Sequence, residues 1–152
     1  SITNSGDGYS TTSYTEYGAV NRLAKTNKLP VLTCPDKEHD LYTVDSTKGN
    51  GALTNPIGLM TADEAAMAGM VNGYLNTLSY VYTGTWYWTM SPYNFYPSNS
   101  TSVVWSVNGT GNFGSNWVTN GYGVRPLINL KSDVEISGGI GTINDPFIVK
   151  TN

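Results

Sequence analysis

Cysteine, histidine and charged residues are all scarce in this chain of 152 residues, and each shortage excludes a class of function. The single cysteine, Cys34, permits neither an intramolecular disulfide nor a zinc site of the paired-cysteine type. We interpret its thiol as a small buried apolar group rather than a nucleophile. The single histidine, His39, lies with Asp36, Glu38 and Asp40 in the polar run PDKEHD, which is typical of a solvated turn. Since no other pattern brings titratable groups together, we expect a protein that is not an enzyme and uses no metal or cofactor.

Long apolar runs and clusters of basic residues are also missing. No stretch approaches the roughly 18 apolar residues needed to cross a bilayer, and the opening SITNSGDGYS does not resemble a signal peptide. The eight Lys and Arg residues are scattered and the net charge is −3, which argues against a nucleic-acid partner. A charged fraction of 12% with abundant Thr, Asn, Ser, Gly and Tyr is typical of bacterial surface modules. We therefore expect a soluble extracellular domain, without membrane insertion, formed by residues 1–152 as one unit.

Charge is absent altogether from residues 65–124, which nevertheless contain thirteen of the eighteen aromatic residues. Within them, residues 93–123 include six Asn, five Ser and seven aromatic residues. Antibody combining sites have such a composition, because Tyr and Trp supply contact area while Ser, Gly and Asn supply adaptable hydrogen bonds. A solvated Asn/Gly/Ser loop around a few core aromatic side chains fits the composition equally well.

Capping signals predict two helices. The sequence SYTE at residues 13–16 has the form of a capping box, and the apolar spacing after it predicts a helix over residues 14–26. A second box, TADE at residues 61–64, predicts a helix over residues 62–72 that ends near Gly73. Met60, Met67 and Met70 are interpreted as part of a stripe beside the core.

Short runs rich in β-branched and aromatic residues predict strands. They are LPVLTC, DLYTVD, a segment in GNGALTNPIGLM, TWYWTM, TSVVWSV, NWVT, GVRPLINL and two runs in the C-terminal DVEISGGIGTINDPFIVK. We expect Pro92 to end the strand in TWYWTMSP and Asn108-Gly109 to form a hairpin turn. Trp86, Trp88 and Trp105 are our candidates for the core. The order of elements predicts an α+β domain with two helices packed on small antiparallel sheets with long loops.

The run GVRPLINL at residues 123–130 resembles the closing strand of the C-type-lectin-like fold. A similar G-x-R-P strand is found in formylglycine-generating-enzyme-like domains and in the variable proteins of diversity-generating retroelements. Four segments in order resemble a bacterial surface-domain family found at the C-terminus of pilin-like and secreted Firmicutes proteins. They are IGLMTADEAAMAG (57–69), YWTMSP (87–92), GYGVRPLINLKSDV (121–134) and GGIGTINDPFIV (138–149). The resemblance implies a C-type-lectin-like fold. The apolar pattern of GVRPLINL itself predicts a core strand in which Val124, Leu127, Ile128 and Leu130 face the core.

The resemblance also implies where a ligand binds. In retroelement variable proteins, the interval between the aromatic-Ser-Pro strand and the G-x-R-P strand is diversified and contacts the ligand. The residues of suitable type in that interval are Tyr93, Asn94, Tyr96, Ser98, Asn99, Asn112, Ser115, Asn116, Trp117 and Asn120. We expect the rings to stack on the ligand and the amides to orient it.

Two activities of the related families are not supported here. The acidic and Asn triplets of calcium-dependent lectins do not occur, and residues 65–124 contain no carboxylate to bind calcium. Formylglycine-generating enzymes use cysteines in the second half of the domain, whereas Cys34 lies in the first half. We interpret Arg125 as a structural residue that binds backbone carbonyls or a carboxylate such as Asp63 or Glu64.

We therefore expect a non-catalytic, adhesin-like binding module at the cell surface. It binds a protein or glycan on another cell or host without calcium. One form of such a module, which the resemblance implies, is a retroelement-diversified variable protein. One alternative is a structural subunit of a pilus or surface assembly, because uncharged aromatic surface is also typical of subunit interfaces. Another is a phage receptor-binding protein.

Overall fold

The computed structural model describes residues 14–25, 28–34, 37–38, 41–45, 47–49, 51–130, 132–142 and 144–150. In these ranges the strands are β1 (Thr15–Glu16), β2 (Gly58–Leu59), β3 (Tyr87–Tyr96), β4 (Thr101–Val107), β5 (Phe113–Trp117), β6 (Pro126–Leu127), β7 (Ile136–Gly138) and β8 (Ile148–Val149). Helix α1 (Gly18–Val20) continues as a π-helical turn (Asn21–Lys25), and helix α2 is Ala62–Met67. A 3₁₀ turn, Pro97–Asn99, connects β3 to β4. The predicted combination of two helices with antiparallel sheets is confirmed.

The largest sheet has the order β1-β3-β4-β5, with every neighbouring pair antiparallel. Strands β2 and β6 form a second sheet, and β7 and β8 form a third. One face of the large sheet, called the core face below, contributes the buried side chains of Tyr87, Trp105, Val107 and Phe113. The rings of Trp105 and Phe113 stack with centroids 4.7 Å apart. The helices add small residues such as Ala19, Ala62 and Ala65 to the same core.

The capping box of α2 is confirmed, but the helix is shorter than predicted. The Thr61 hydroxyl accepts from the Glu64 backbone N–H, and the Glu64 carboxylate accepts from the Thr61 backbone N–H. The helix ends at Met67 because Gly69 adopts a φ of +91°. The backbone N–H groups of Gly69 and Met70 then donate to Ala66 and Ala65, which is the Schellman pattern of a helix end. Gly69, rather than the later Gly73, is therefore the stop signal.

The prediction that a helix begins at residue 14 was wrong. Thr15 and Glu16 pair with Phe95 and Asn94 as an edge strand, so the helix begins at Gly18. The first N–H groups of a helix have no partner within the helix, and pairing with β3 supplies this segment with partners. Ser13 of the predicted capping box and Thr26 lie outside the described residues.

Pro92 does not end β3, which continues to Tyr96. The pairing of β3 with β4 shifts register on both sides of Pro92. A bulge tolerates proline, because the missing N–H is not needed by the ladder there. Residues 93–96, predicted to be a loop, are therefore held on the sheet.

The strand predicted for GVRPLINL is limited to Pro126 and Leu127. Val124 is 65% exposed, and Ile128 and Leu130 are exposed as well, so the prediction that they face the core was wrong. The described parts of LPVLTC and DLYTVD form no strand, and Leu29, Leu32 and Val44 are exposed. Strand-like composition does not supply the partner strand on which a ladder depends.

Two of the three tryptophans predicted for the core lie elsewhere. Trp105 is completely buried, whereas Trp86 is 40% exposed and Trp88 is half-buried. The Asn108 turn is confirmed, since the Asn108 side chain accepts from the backbone N–H groups of Thr110 and Asn112 between β4 and β5. Met70 is buried and Met60 packs beside the core, but Met67 is exposed.

Candidate functional site

The ten predicted ligand-binding residues are distributed over both ends of the large sheet. Tyr93, Asn94 and Tyr96 lie on β3, Ser98 and Asn99 on the turn after it, Ser115, Asn116 and Trp117 on β5, Asn120 beyond β5, and Asn112 just before it. Strands β3 and β5 are both antiparallel to β4, so they run in the same direction and terminate at the same end of the sheet. Asn112 lies at the opposite end, where its backbone N–H donates to the Asn108 side chain. The structure thus leaves Asn112 apart, and Asn116, which pairs with Val104, lies on the opposite face of the sheet from Trp117.

A row of paired residues crosses the core face near the end of the sheet where β3 and β5 terminate. Glu16 pairs with Asn94, Asn94 with Val103, and Val103 with Trp117. Tyr96, which pairs with Thr101, lies on the same face two residues further along β3. Asn94 is buried with 4% exposure, while Tyr96 is 38% and Trp117 52% exposed. The two rings therefore face solvent on a surface whose floor is buried.

Asn94 connects the tyrosines of this surface. Its side-chain NH₂ donates to the hydroxyls of Tyr14 and Tyr96, each at 3.3 Å. The rings of Tyr14 and Tyr96 lie 5.2 Å apart. The Asn94 side-chain oxygen is buried and accepts no hydrogen bond from the described residues. Asn94 is thus a buried link between the hydroxyls of the two tyrosines.

The charged groups beside this surface cancel each other. The Lys25 ammonium contacts the Glu16 carboxylate, and the Tyr14 hydroxyl donates to the same carboxylate at 3.0 Å. Burial, followed by the hydrogen bond to Glu16, raises the pKa of Tyr14 to about 12. The tyrosine is therefore a neutral donor at physiological pH. What is presented to solvent is a surface of rings and amides.

Tyr93 has a different position from Tyr96. Its ring meets Trp105 edge-on with centroids 4.9 Å apart, beside the core. Burial raises the pKa of the Tyr93 hydroxyl, as it does for Tyr87. Tyr93 therefore joins the predicted site to the core rather than extending into solvent.

The outer face of the sheet carries an aromatic stack that we did not predict. The ring of Tyr122 lies 4.7 Å from Trp86 and 4.5 Å from Trp88. The Asn116 side chain donates to the Tyr122 hydroxyl at 2.6 Å and accepts from the Asn120 side chain at 2.6 Å. This stack holds the segment after β5 against the sheet. The sequence does contain a signal for this stack. Successive side chains of a strand point to opposite faces of the sheet, so a buried Tyr87 places Trp86 and Trp88 together on the other face.

Arg125 is structural, as predicted, and its partner is a backbone carbonyl. The guanidinium donates to the Val81 carbonyl at 2.8 Å and lies 4.8 Å from the centre of the Tyr87 ring. The Tyr87 hydroxyl donates to the same carbonyl at 2.6 Å. Of the two carboxylates considered for Arg125, Asp63 is bound by Arg22, and Glu64 accepts from Thr61.

A cleft of about 600 Å³ lies between α1, the start of α2 and the middle of β3. Its lining includes Tyr17, Arg22, Cys34, Tyr42, Asp63 and Glu64. Cys34 is half-buried, not fully buried as we expected, and it borders this cleft. Sequence reasoning missed the cleft because its walls come from segments far apart in the chain.

Polar side chains in the cleft are engaged in hydrogen bonds within the protein. In the cleft, the Ser91 hydroxyl accepts from the Ala62 backbone N–H, and Asp63 is bound by Arg22 and the Val31 backbone N–H.

Among the described ranges, no three His, Cys, Asp or Glu side chains are grouped to hold a metal ion. Within the same ranges, none of the helices has the length and apolar character to span a bilayer. Asp36, His39 and Asp40 lie outside the described residues, whereas Glu38 is described and exposed.

Residues 12–132 match the DUF6273 family, described as a domain of unknown function. The chain belongs to this family. No curated protein and no solved structure matches the chain. The DUF6273 match includes the large sheet, the cleft and all ten predicted site residues, and it ends before the β7–β8 hairpin.

Proposed function

We propose that this DUF6273 domain is a non-catalytic, extracellular ligand-binding module of the adhesin type, built on a C-type-lectin-like fold. The observation that carries the proposal is the exposure of Tyr96 and Trp117 on one face of a sheet whose intervening residues Asn94 and Val103 are buried. Large rings on a rigid, uncharged surface favour binding, because they lose little conformational freedom when a ligand covers them.

The chemistry of this surface supports a protein or glycan ligand without calcium. Each ring contributes about 0.5 to 1.5 kcal/mol beyond the area it buries when it stacks on an aromatic partner. Ser98, Asn99 and Asn120 are exposed at the end of the sheet where β3 and β5 terminate, and their side chains offer hydrogen bonds to the periphery of a ligand. In the part of the chain that the structure describes, the charged side chains of Glu16 and Lys25 lie beside this surface and are paired with each other.

The position of the surface also supports a diversified role. The segment after β3 and the segment after β5 carry its exposed polar residues, while β4 between them supplies buried Val103, Trp105 and Val107. Substitutions at exposed loop positions leave the core intact, so this arrangement tolerates variation. Diversification by a retroelement predicts population variants confined to these loop positions, with an adjacent reverse transcriptase gene.

The test is binding of the labelled domain to a glycan array and to intact bacterial and host cells, with and without EDTA. We expect binding that survives EDTA and is lost in the variant Tyr96→Ala/Trp117→Ala. The matched control is Tyr74→Ala/Tyr80→Ala, which removes two exposed rings outside this surface. Equal binding by the site variant, or loss only on chelation, would contradict the proposal.

A structural subunit is the second candidate, and exposed apolar residues in the C-terminal part favour it. Val124, Ile128, Leu130, Phe147 and Ile148 are all exposed. Apolar surface of this kind is typical of subunit interfaces. Sedimentation at micromolar concentration distinguishes the candidates: concentration-dependent assembly, reduced by Ile128→Ser/Phe147→Ser, supports a subunit, and a stable monomer argues against it.

A further inference from the structure

The cleft between α1, α2 and β3 has the size of a small-molecule site. Its volume of about 600 Å³ lies within the usual range for ligand pockets. A smaller apolar groove of about 330 Å³ adjoins it, and Tyr42 and Met90 line both. A ligand in the cleft therefore meets polar groups at one end and apolar walls at the other.

The carboxylate of Asp63 is already neutralised. Arg22 donates to both of its oxygens, at 3.2 and 2.6 Å, and the Val31 backbone N–H donates at 2.8 Å. This pair supplies a fixed wall of the cleft with no net charge. It leaves little capacity for a ligand to compete at Asp63.

Glu64 is the charge that remains. One of its oxygens accepts from the backbone N–H and the hydroxyl of Thr61, at 2.7 and 2.9 Å. The other oxygen accepts no hydrogen bond from the described part of the chain, and the half-buried side chain lines the cleft. Among the described residues that line the cleft, Arg22, Asp63 and Glu64 are charged, and their charges sum to one negative charge.

The remaining walls select the kind of cation. Tyr17, Tyr42 and Met90 line the cleft. Aromatic rings attract a cation that lies over their faces, and methionine packs against an apolar stem. A calcium ion needs six to eight oxygen ligands, which one free carboxylate oxygen does not provide. A guanidinium prefers bidentate contact with both oxygens, whereas an ammonium is satisfied by one.

We infer that this cleft binds a ligand carrying a primary ammonium group on an aliphatic stem, with Glu64 as the anionic contact. The site is separate from the aromatic surface and does not rest on the function proposed for it. A lysine side chain of a partner and a free alkylamine share this chemistry.

The experiment is calorimetric titration of the whole chain with hexylammonium, hexanol and hexanoate, which each have six carbons and differ in the terminal group. We expect hexylammonium to bind most tightly and hexanoate least. The decisive variant is Glu64→Gln, because glutamine at this position retains the capping box while removing the charge. We expect hexylammonium to bind about tenfold more weakly to this variant, with hexanol unchanged.

Glu135→Gln is the matched control, since it removes the same charge from the exposed pair with Lys150. It should leave hexylammonium binding unchanged. Titration with Nα-acetyl-lysine methylamide separates the two sources: binding comparable to hexylammonium indicates a lysine side chain, and weaker binding indicates a free amine. Absence of hexylammonium binding, equal affinity for hexanoate, or an ammonium preference that survives Glu64→Gln would overturn the inference.

Discussion

The side-chain amide of Asn116 donates a hydrogen bond of 2.6 Å to the hydroxyl of Tyr122. This bond joins β5 to the segment after it, on the side of the sheet away from the core. The ring of the same tyrosine lies against Trp86 and Trp88. Since Asn120 belongs to that segment and Trp117 to the adjoining end of β5, this contact helps to position two residues of the proposed binding surface.

Replacing Tyr122 separates the two parts of this contact. Tyr122→Phe removes the hydrogen bond and should lower the free energy of unfolding by about 1 kcal/mol. Tyr122→Ala also removes both ring contacts and should cost roughly 2 to 4 kcal/mol. Urea denaturation measures both values. Equal costs for the two variants would show that the ring stack contributes nothing.

The raised pKa of Tyr14 predicts a loss of stability at high pH. The unfolded chain releases this proton near the usual value of 10.0, whereas the folded chain retains it to about 12. The contribution is therefore complete below pH 10 and is lost as the pH rises through 12. Unfolding free energies measured across this interval should fall less steeply for Tyr14→Phe than for the wild type.

The matched control for this pH profile is Tyr80→Phe, which removes the hydroxyl of an exposed tyrosine. It should keep the wild-type slope. Identical slopes for the wild type and Tyr14→Phe would contradict the assignment of this transition to Tyr14.

Removing Arg22 should destabilise the fold strongly. The Asp63 side chain is only 8% exposed, and without the guanidinium its charge keeps a single backbone N–H as partner. Arg22→Met should therefore cost about 3 kcal/mol, measured by chemical denaturation. Adding Asp63→Asn should recover part of this loss, because the unpaired charge is then gone. A double variant less stable than Arg22→Met would contradict this explanation.

Arg125 should not be replaceable by lysine. Its guanidinium combines a 2.8 Å bond to the Val81 carbonyl with stacking on the Tyr87 ring. A lysine ammonium lacks the planar group that stacks on the ring. We expect Arg125→Lys to lower the midpoint of thermal unfolding and Arg125→Ala to cost about 2 kcal/mol. Wild-type stability for Arg125→Lys would show that only the charge matters.

Local patterns predicted those elements whose cause is local. The capping box at Thr61 and Glu64 and the Asn108 turn are formed by side chains that bond backbone groups a few residues away. The role of Arg125 as a tie to a carbonyl was also predicted, although its partner Val81 was not. Gly73 was predicted as the stop signal, but the helix ends before Gly69, and Met70, which follows Gly69, is buried in the core.

The sequence predicted which kinds of residue form the candidate site, but it predicted only part of their positions in the structure. The charge-free interval correctly marked Tyr96 and Trp117 as exposed rings, but it did not separate them from Tyr93, which packs on Trp105. Asn94 and Asn99 have the same side chain and lie on the same segment, yet one is buried and the other exposed. Strand pairing decides this difference, because it determines which side chains point toward the core.

By itself, the sequence determined the helix cap, the hairpin turn, the mixture of helices with antiparallel strands and the location of an uncharged, ring-rich interval. Each of these depends on residues that are neighbours along the chain or on composition. The tertiary structure alone decided that β3 continues through Pro92, that Trp86 and Trp88 stack on Tyr122, and that Arg22, Asp63 and Glu64 meet in a cleft. These features depend on which distant backbone segments pair, and a strand's partner is selected by burial of the whole sheet rather than by the residues of either strand.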